Sequence, residues 1–247
     1  MPNGVSGTSA LNHSAPPCYT QAMCGRFGFG DPARLGLLPL GVTLPPLTPR
    51  FNVAPSQPVP LVRQQGGVRD ACLARWGLVP FWAEDPAIGN RLVNARSETA
   101  HEKPAFRAAF RHRRALIPAD LFYEWQPVPG GKGKQPWGIG LPEGAPFVMA
   151  ALWEQWVPRA APGTAPLVSC CLLTTGPNAT MAPIHDRMPV ILPPEDWDAW
   201  LDPATPAAAL ASLLRPYAGP MVAHRVSTLV NNPRHDDPAC RTPLPPG

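Results

Sequence analysis

The sequence contains no Cys-x-x-Cys pair, although it has six cysteines. Two of them, Cys170 and Cys171, are adjacent within an apolar run, where their side chains would point to opposite faces of a strand. This spacing argues against a disulfide framework or a zinc site, so we predict no metal and no other cofactor. Free thiols are typical of a reducing compartment, and we expect a cytoplasmic protein.

The sequence also lacks a long hydrophobic run. No segment approaches the roughly 18 continuous apolar residues of a membrane span, so no membrane partner is predicted. Residues 1–22 contain no Lys, Arg, Asp or Glu, which excludes both a secretory signal with a basic start and an arginine-rich transit peptide. We interpret residues 1–22 as a leader that is either disordered or the result of a misassigned start, because Met23 follows it directly.

What the chain does have is enough apolar sequence for a core. Hydrophobic residues make up 45% of the 247 residues, which predicts one folded domain, over residues 23–240. The 37 prolines are about three times the usual share and predict many rigid loops. The Pro-rich segment from Asn231 onward is predicted to be an extended tail, with 241–247 outside the domain. Nothing in the sequence requires more than a monomer.

Predicted strands outnumber predicted helices and do not alternate with them, which indicates a mixed α+β fold built mainly on antiparallel strands with peripheral helices. Glycines 66 and 67 predict a hairpin turn between strands near 59–63 and 71–76. Further strands are predicted near 115–126, 146–154, 167–175 and 187–192. Short helices are predicted at 31–38, 104–114 and 205–214, the last with a Thr205 cap.

Positive charge is concentrated between residues 91 and 114. This stretch holds seven basic residues against Glu98 and Glu102: Arg91, Arg96, Lys103, Arg107, Arg111, Arg113 and Arg114. Such a patch attracts phosphates, although a solvated helix face would have the same composition.

Four segments place polar residues in apolar surroundings. They are Met-Cys-Gly-Arg-Phe (23–27), Leu-Val-Asn-Ala-Arg-Ser-Glu-Thr (92–99), Leu-Phe-Tyr-Glu-Trp (121–125) and Pro-Ile-His-Asp-Arg-Met-Pro-Val (183–190). Taken singly, each has an ordinary structural explanation, such as a buried cysteine or a surface ion pair. Together they supply a nucleophile, an amide, an acid, an imidazole and arginines, which is the working set of an active site.

The order of these motifs along the chain resembles the SOS-response-associated peptidase family. The matching segments run in register from Met23 to about Cys240: MCGRF (23–27), RFNVAPSQ (50–57), RWGLVPFW (75–82), VNARSET (93–99), RRALIPADLFYEW (113–125), FVMAALWE (147–154), CLLTT (171–175), IHDRMPVIL (184–192) and VSTLVNNPRHDDPAC (226–240).

The resemblance implies an α+β fold with a β-barrel-like core and a positively charged groove. It also implies covalent capture of abasic sites in single-stranded DNA, a DNA damage response in which the protein associates with the nucleoid. By resemblance the catalytic residues are Cys24, Asn94, Glu124 and His185. The residues expected to contact or line the DNA path are Arg26, Pro55, Trp76, Trp82, Arg96 and Arg187.

The chemistry explains why a cysteine at the N-terminus is needed. Its α-amine can form a Schiff base with the ring-opened sugar aldehyde, and its thiol can close a five-membered thiazolidine on the same carbon. We expect His185 to assist ring opening as a general acid, Glu124 to carry a raised pKa and shuttle the proton, and Asn94 to orient the amine. Arg26 is expected to lower the thiol pKa. A weak β-elimination (lyase) activity is also implied.

Residues 1–22 must be absent for this chemistry, because an internal cysteine has an amide nitrogen. Either translation begins at Met23 or the leader is cleaved, as the peptidase name of the family suggests. Two other functions stay open: a thiol protease that uses Cys24 and His185 with Asn94 or Glu124 as orienting residue, and a non-catalytic single-strand binder that uses arginine and tryptophan side chains.

Overall fold

The computed structural model describes residues 24–245. The predicted leader, residues 1–22, therefore lies outside the described residues, as do residues 246 and 247. Within residues 24–245, no helix has both the length and the apolar character needed to span a membrane.

Thirteen strands and four short helices make up the regular structure of residues 24–245, with single 3₁₀ turns between them. The strands are β1 (Arg26–Phe29), β2 (Arg50–Val53), β3 (Pro58–Gln65), β4 (Val68–Trp76), β5 (Asn94–Arg96), β6 (Arg114–Ala119), β7 (Leu121–Pro127), β8 (Lys134–Gly140), β9 (Phe147–Trp156), β10 (Leu167–Thr175), β11 (Met188–Pro189), β12 (Ile191–Leu192) and β13 (Val222–Arg225). The helices are α1 (Pro32–Leu35), α2 (Arg107–His112), α3 (Trp197–Leu201) and α4 (Ala207–Leu213).

Five strands close into a barrel, as expected. Strand β3 pairs with β4 and β6, β9 pairs with β6 and β10, and β10 closes the ring by a parallel pairing with β4. A second sheet has the order β13-β8-β7-β1-β2, antiparallel throughout. The α+β fold with mainly antiparallel strands and a barrel-like core is confirmed.

Alternation along the barrel strands divides the apolar side chains between two cores. Ile117 and Cys170 belong to the core shared with Phe122 of the second sheet. Leu116 and Cys171 belong to the core that the helices cover. The predicted opposite orientation of Cys170 and Cys171 is therefore confirmed. The helices pack on the outside of the second core, so they lie on the periphery as predicted.

The hairpin predicted around residues 66 and 67 is also confirmed. Strands β3 and β4 pair in register from Pro58 with Arg75 to Gln65 with Val68. Gly66 and Gly67 both have positive φ, 59° and 80°. Two consecutive positive φ values are what a two-residue hairpin turn of this hand requires, and glycine adopts them without steric cost.

All three predicted helices are shorter than their sequence patterns suggest, and α1 covers only Pro32–Leu35 of the predicted 31–38. Helix α2 covers only residues 107–112, and Arg114 already belongs to β6. Helix α4 begins after Pro206 with no side-chain cap, so the prediction of a Thr205 cap is wrong. The Thr205 hydroxyl instead donates to the Ala199 carbonyl (2.6 Å).

The prediction of an extended tail from Asn231 is wrong. Oδ1 of Asp236 accepts hydrogen bonds from the backbone N–H groups of Phe51 (2.6 Å) and Asn52 (2.8 Å) on the edge strand β2. Cys240 is fully buried, and Arg241 pairs with the carboxylate of Asp120 (3.1 Å). Polar groups, rather than a periodic apolar face, attach the segment from Asn231 to the sheet. Its sequence therefore shows no apolar periodicity that would predict this packing.

Candidate active site

The four residues expected to be catalytic come together where the two sheets meet. Cys24 lies two residues before the start of β1, whose pairing with β7 brings it beside Glu124. Asn94 begins β5, which extends the barrel alongside β10. His185 lies on the loop between β10 and β11. Each sheet therefore contributes two of the four side chains.

The backbone nitrogen of Cys24 forms a hydrogen bond with the carboxyl group of Glu124. It donates to Oε1 of Glu124 at 2.6 Å, in a buried position. Nδ2 of Asn94 approaches the carbonyl oxygen of Cys24 at 3.4 Å. Cys24 has φ of 48°, a left-handed conformation that is uncommon for a residue other than glycine and that concentrates at functional sites.

Glu124 is almost completely buried, with 2% of its surface exposed. Burial disfavours its charged form and raises the pKa of its carboxyl above the ordinary value of 4.5, while His185 and the hydrogen bonds from Cys24 oppose the rise. A carboxyl of this kind holds a proton more readily than a solvated one. It can therefore exchange protons with the Cys24 nitrogen.

Burial also raises the pKa of the Cys24 thiol well above its ordinary value, and neighbouring Glu124 adds to the increase. The cation that opposes this increase is Arg187. The expectation of a lowered thiol pKa is therefore wrong, because the net shift is upward. Arg26 instead donates to Oδ1 of Asn52 (2.9 Å) and to the Val230 carbonyl (2.5 Å).

The ring of His185 is oriented by its neighbours. The backbone N–H of Arg187 approaches Nδ1 at 3.1 Å, and Oδ1 of Asp186 lies 3.1 Å from the same nitrogen. Nε2 lies 3.9 Å from Oε2 of Glu124. The imidazole and the carboxyl are thus neighbours without a short hydrogen bond between them.

The three predicted arginines have different surroundings. Nη1 and Nη2 of Arg187 form a bidentate pair with Glu98 (2.7 and 2.8 Å), and Nη2 also donates to the Thr174 carbonyl. Arg26 donates to Asn52 and to the Val230 carbonyl, as described above. Arg96 is exposed, so it is the arginine most accessible to a phosphate.

A surface cavity of about 470 Å³ opens next to Asn94. Its walls are mainly apolar and include Trp82 and Phe106, and Arg96 and Lys103 also line it. Trp82 has 41% of its surface exposed, as a residue on a DNA path should. Because Asn94 contacts both Cys24 and this cavity, the cavity continues the site toward the protein surface.

Trp76 does not share this environment. It is completely buried, and its Nε1 donates to the Val93 carbonyl at 2.9 Å. The prediction that Trp76 contacts DNA is therefore wrong, since the side chain belongs to the barrel core. Pro55 is half-buried in the turn that follows β2.

The basic patch is also smaller than the sequence suggests. Arg114 is buried and donates to backbone carbonyls, and Arg113 pairs with Glu154 at 2.7 Å. These two arginines contribute little to the surface potential. The five exposed members are Arg91, Arg96, Lys103, Arg107 and Arg111.

Comparison with known proteins identifies the family. The family model for SOS response associated peptidase (SRAP) matches residues 23–233. The chain belongs to the SRAP family. It is 45% identical over 192 residues to the abasic site processing protein YoqW of Bacillus subtilis, covering 77% of this chain and 84% of that protein.

Other relatives of this SRAP chain agree with that assignment. The abasic site processing protein HMCES of Gallus gallus is 31% identical over 228 residues, covering 79% of this chain and 66% of that protein. A solved structure of a protein from Bordetella bronchiseptica is 27% identical, with a TM-score of 0.69, and covers 83% of this chain and 100% of that chain.

Sequence reasoning missed several residues of this SRAP site. Lys103, Phe106 and Thr174 line the cavity, and Asn52 is the buried acceptor for Arg26. Lys103 was visible only as part of a charge cluster. No local pattern marks the other three, because their roles depend on contacts with residues distant in sequence.

In residues 24–245, no three His, Cys, Asp or Glu side chains are arranged to hold a metal ion.

The raised pKa of Glu124 gives a prediction about stability. The folded protein holds this proton more tightly than the unfolded chain does, so stability falls as pH rises from 4.5 to the folded pKa and stays lower above it. Glu124→Gln removes this loss. We expect the variant to be more stable than the parent at pH 8, by roughly 1 kcal/mol or about 2–4 °C in Tm, with a smaller difference at pH 4.

Thermal unfolding at the two pH values tests this expectation. Glutamine retains an oxygen that can accept the hydrogen bond from Cys24, so the change removes the titration with little change in shape. If the variant is less stable than the parent at pH 8, Glu124 is stabilised as an anion, and the direction of its pKa shift is wrong.

Proposed function

We propose that this protein captures the ring-opened sugar aldehyde of abasic sites in single-stranded DNA through the nitrogen and thiol of Cys24. The proposal rests on the 2.6 Å contact between the Cys24 nitrogen and Glu124. An enzyme that used only the thiol would have no need to hold this nitrogen against a buried acid. The names of the relatives, abasic site processing proteins, point to the same substrate.

The reaction follows from the positions of the groups. His185 donates a proton to the ring oxygen of the abasic sugar, which opens it to the aldehyde. The amine of Cys24 then attacks C1′, and the aldehyde oxygen leaves as water, with Glu124 carrying protons between the nitrogen and that oxygen. Finally the thiol adds to the imine carbon and its proton passes to the nitrogen, which closes the thiazolidine.

A protonated thiol suits this sequence. The raised pKa of Cys24 keeps the sulfur neutral, so the amine attacks first and the thiol adds only to the activated imine. Asn94, which approaches the Cys24 carbonyl, orients the residue without competing for the proton. The same imine can lose its 3′ phosphate by β-elimination, so we also propose a weak lyase activity.

The surroundings favour a single strand. Cys24 is 2% exposed, so only a sugar that leaves the regular stack can reach it. The cavity beside Asn94 offers Trp82 for stacking a neighbouring base and Arg96 and Lys103 for phosphates. All of these groups come from one chain, so the proposal needs no second copy.

The same geometry favours a second activity, cleavage of the Met23–Cys24 peptide bond. With residues 1–23 attached, the Cys24 nitrogen is an amide. The thiol can add to the Met23 carbonyl carbon while its proton passes to Glu124, the C–N bond breaks, and Glu124 delivers one proton to the nitrogen. Water then hydrolyses the thioester and restores the thiol. The positive φ of Cys24 and the Glu124 contact support this route.

A general thiol protease is the weaker alternative. Such an enzyme depends on a thiolate whose pKa is lowered by a neighbouring cation, usually an imidazolium. Here the thiol lies beside an acid, and its pKa is raised. The site is better suited to cleaving the Met23–Cys24 peptide bond of its own chain than to cleaving the peptides of other proteins.

The test uses protein that begins at Cys24, incubated with a labelled single strand that carries one abasic site. We expect a band of higher mass that survives heating in denaturant, and none with an intact strand of the same sequence. The same abasic site in a duplex should react more slowly, because the helix must open first. A complex that dissociates fully in denaturant would favour the non-catalytic binder.

A further inference from the structure

The loop that carries His185 is attached to strand β7 by the side chain of Gln126. Its Nε2 donates to the Pro183 carbonyl at 2.7 Å, and its Oε1 accepts from Nε1 of Trp137 at 3.0 Å. Pro183 lies two residues before His185. The contact therefore joins the loop of one catalytic residue to the strand of the other.

The neighbours of the Gln126 amide determine which way it points. The indole Nε1 of Trp137 is only a donor, so the amide oxygen must face it. The amide nitrogen then faces the Pro183 carbonyl, which is only an acceptor. Trp137 lies on β8 directly opposite Glu124, and it belongs to the same sheet as the acid. The orientation of Gln126 is thus fixed within the rigid part of the site.

Position along the strand adds to this argument. Side chains two residues apart project from the same face of a strand, so Glu124 and Gln126 both face the 183–185 loop. Glu124 approaches Nε2 of His185 at 3.9 Å, beyond normal hydrogen-bond length. Because packing does not close this gap, its length depends on how far from β7 the loop is held.

We propose that Gln126 is a positioning residue that sets the separation between Glu124 and His185 by holding the Pro183 carbonyl. The role in crosslinking rests on the proposed function, whereas the positioning itself does not. Met181 and Ile184 are buried in the core and keep the loop folded without Gln126. Loss of the amide therefore displaces the imidazole and leaves the fold intact.

The experiment compares Gln126→Met with the parent protein. Methionine retains the length of the side chain but removes both hydrogen bonds. Gln135→Met is the matched control, because Gln135 pairs directly with Gln126 across the strands but its amide donates to the Pro136 and Val226 carbonyls and not to the His185 loop. Trp137→Phe keeps Gln126 but removes the bond that orients it, so an intermediate effect is expected.

The first measurement needs no DNA. The ring resonances of His185 in the NMR spectrum should shift in Gln126→Met and stay unchanged in Gln135→Met, because the loop that holds the ring moves away from Glu124. The other groups facing this pair, Asp186, Arg187 and the Cys24 thiol, are not altered. Ring resonances equal to those of the parent would overturn the proposal, whether or not the protein forms crosslinks.

The second measurement is crosslinking of abasic single-stranded DNA. We expect a roughly tenfold lower rate in Gln126→Met, as small displacements of reacting groups are costly, with DNA affinity and Tm unchanged. The acid limb of the pH–rate profile should move to higher pH, because His185 lowers the pKa of Glu124. Crosslinking as fast as in the parent, with an unshifted profile, would contradict the positioning role. Absence of crosslinks in the parent itself would instead contradict the proposed function.

Discussion

A chain that retains residues 1–23 because its Met23–Cys24 bond has been made uncleavable should bind abasic single-stranded DNA yet form no crosslink that survives denaturation. With these residues attached, the nitrogen next to Glu124 is an amide, and an amide cannot form a Schiff base. The groups that we propose to face the DNA, Arg96 and Trp82, are unaffected. We therefore expect crosslink yield at background level and a nearly unchanged Kd, measured on protein whose intact mass shows the retained segment.

The matched protein starts at Met23. Cysteine is small enough for methionine aminopeptidase to remove the preceding Met, so this chain should begin at Cys24 by mass and should crosslink. If the chain with residues 1–23 still present reacts as fast, the aminothiol mechanism is wrong for this protein. A simple thiol adduct, which heat should reverse, would then be the better explanation.

Elements with strong local signals could be predicted from the sequence. Strand β10 occupies the predicted residues 167–175, because a mainly apolar run of nine residues indicates a buried strand without reference to the rest of the chain. The β3–β4 hairpin follows from its two glycines. Strands β1 and β5 were not predicted as strands. They have only four and three residues, and it is their pairing with β7 and β10 that makes them strands.

The candidate site was predictable as a set of residues but not as a geometry. The motif order placed Cys24, Asn94, Glu124 and His185 together, and the structure brings them into contact. The motif order gave no information on which of the two tryptophans, Trp76 or Trp82, is buried. Trp76 and Trp82 belong to the same motif, yet Trp76 ends a barrel strand with its side chain inside, whereas Trp82 lies on the loop that follows.

The role of Arg26 shows a further limit. An arginine two residues from a cysteine can reach the thiol in many conformations. Here the 228–231 turn and Asn52 offer three oxygen acceptors to Arg26: Asn52 Oδ1 and the Val230 and Asn231 carbonyls. Those partners are 26 to 205 residues away along the chain. Their proximity is a product of the tertiary fold, which local pattern cannot reveal.

Replacing the thiol should separate the two halves of the Cys24 chemistry. Cys24→Ser in a chain that begins at residue 24 keeps the free amine and its contact with Glu124, but its hydroxyl closes a much less stable ring on the imine carbon. We expect DNA binding equal to that of the parent and no heat-stable crosslink. Borohydride, which reduces an imine to an amine, should nevertheless trap a covalent complex.

The comparison with Cys72→Ser makes this test specific. Cys72 is half-buried and more accessible than Cys24, so an unselective thiol reaction would involve it first. We expect Cys72→Ser to crosslink like the parent, without borohydride. A heat-stable crosslink in Cys24→Ser would show that the Cys24 thiol does not close the ring that stabilises the crosslink. Loss of the borohydride-trapped product as well would mean that the thiol, not the amine, attacks C1′ first, which would reverse the order of steps that the Cys24–Glu124 contact supports.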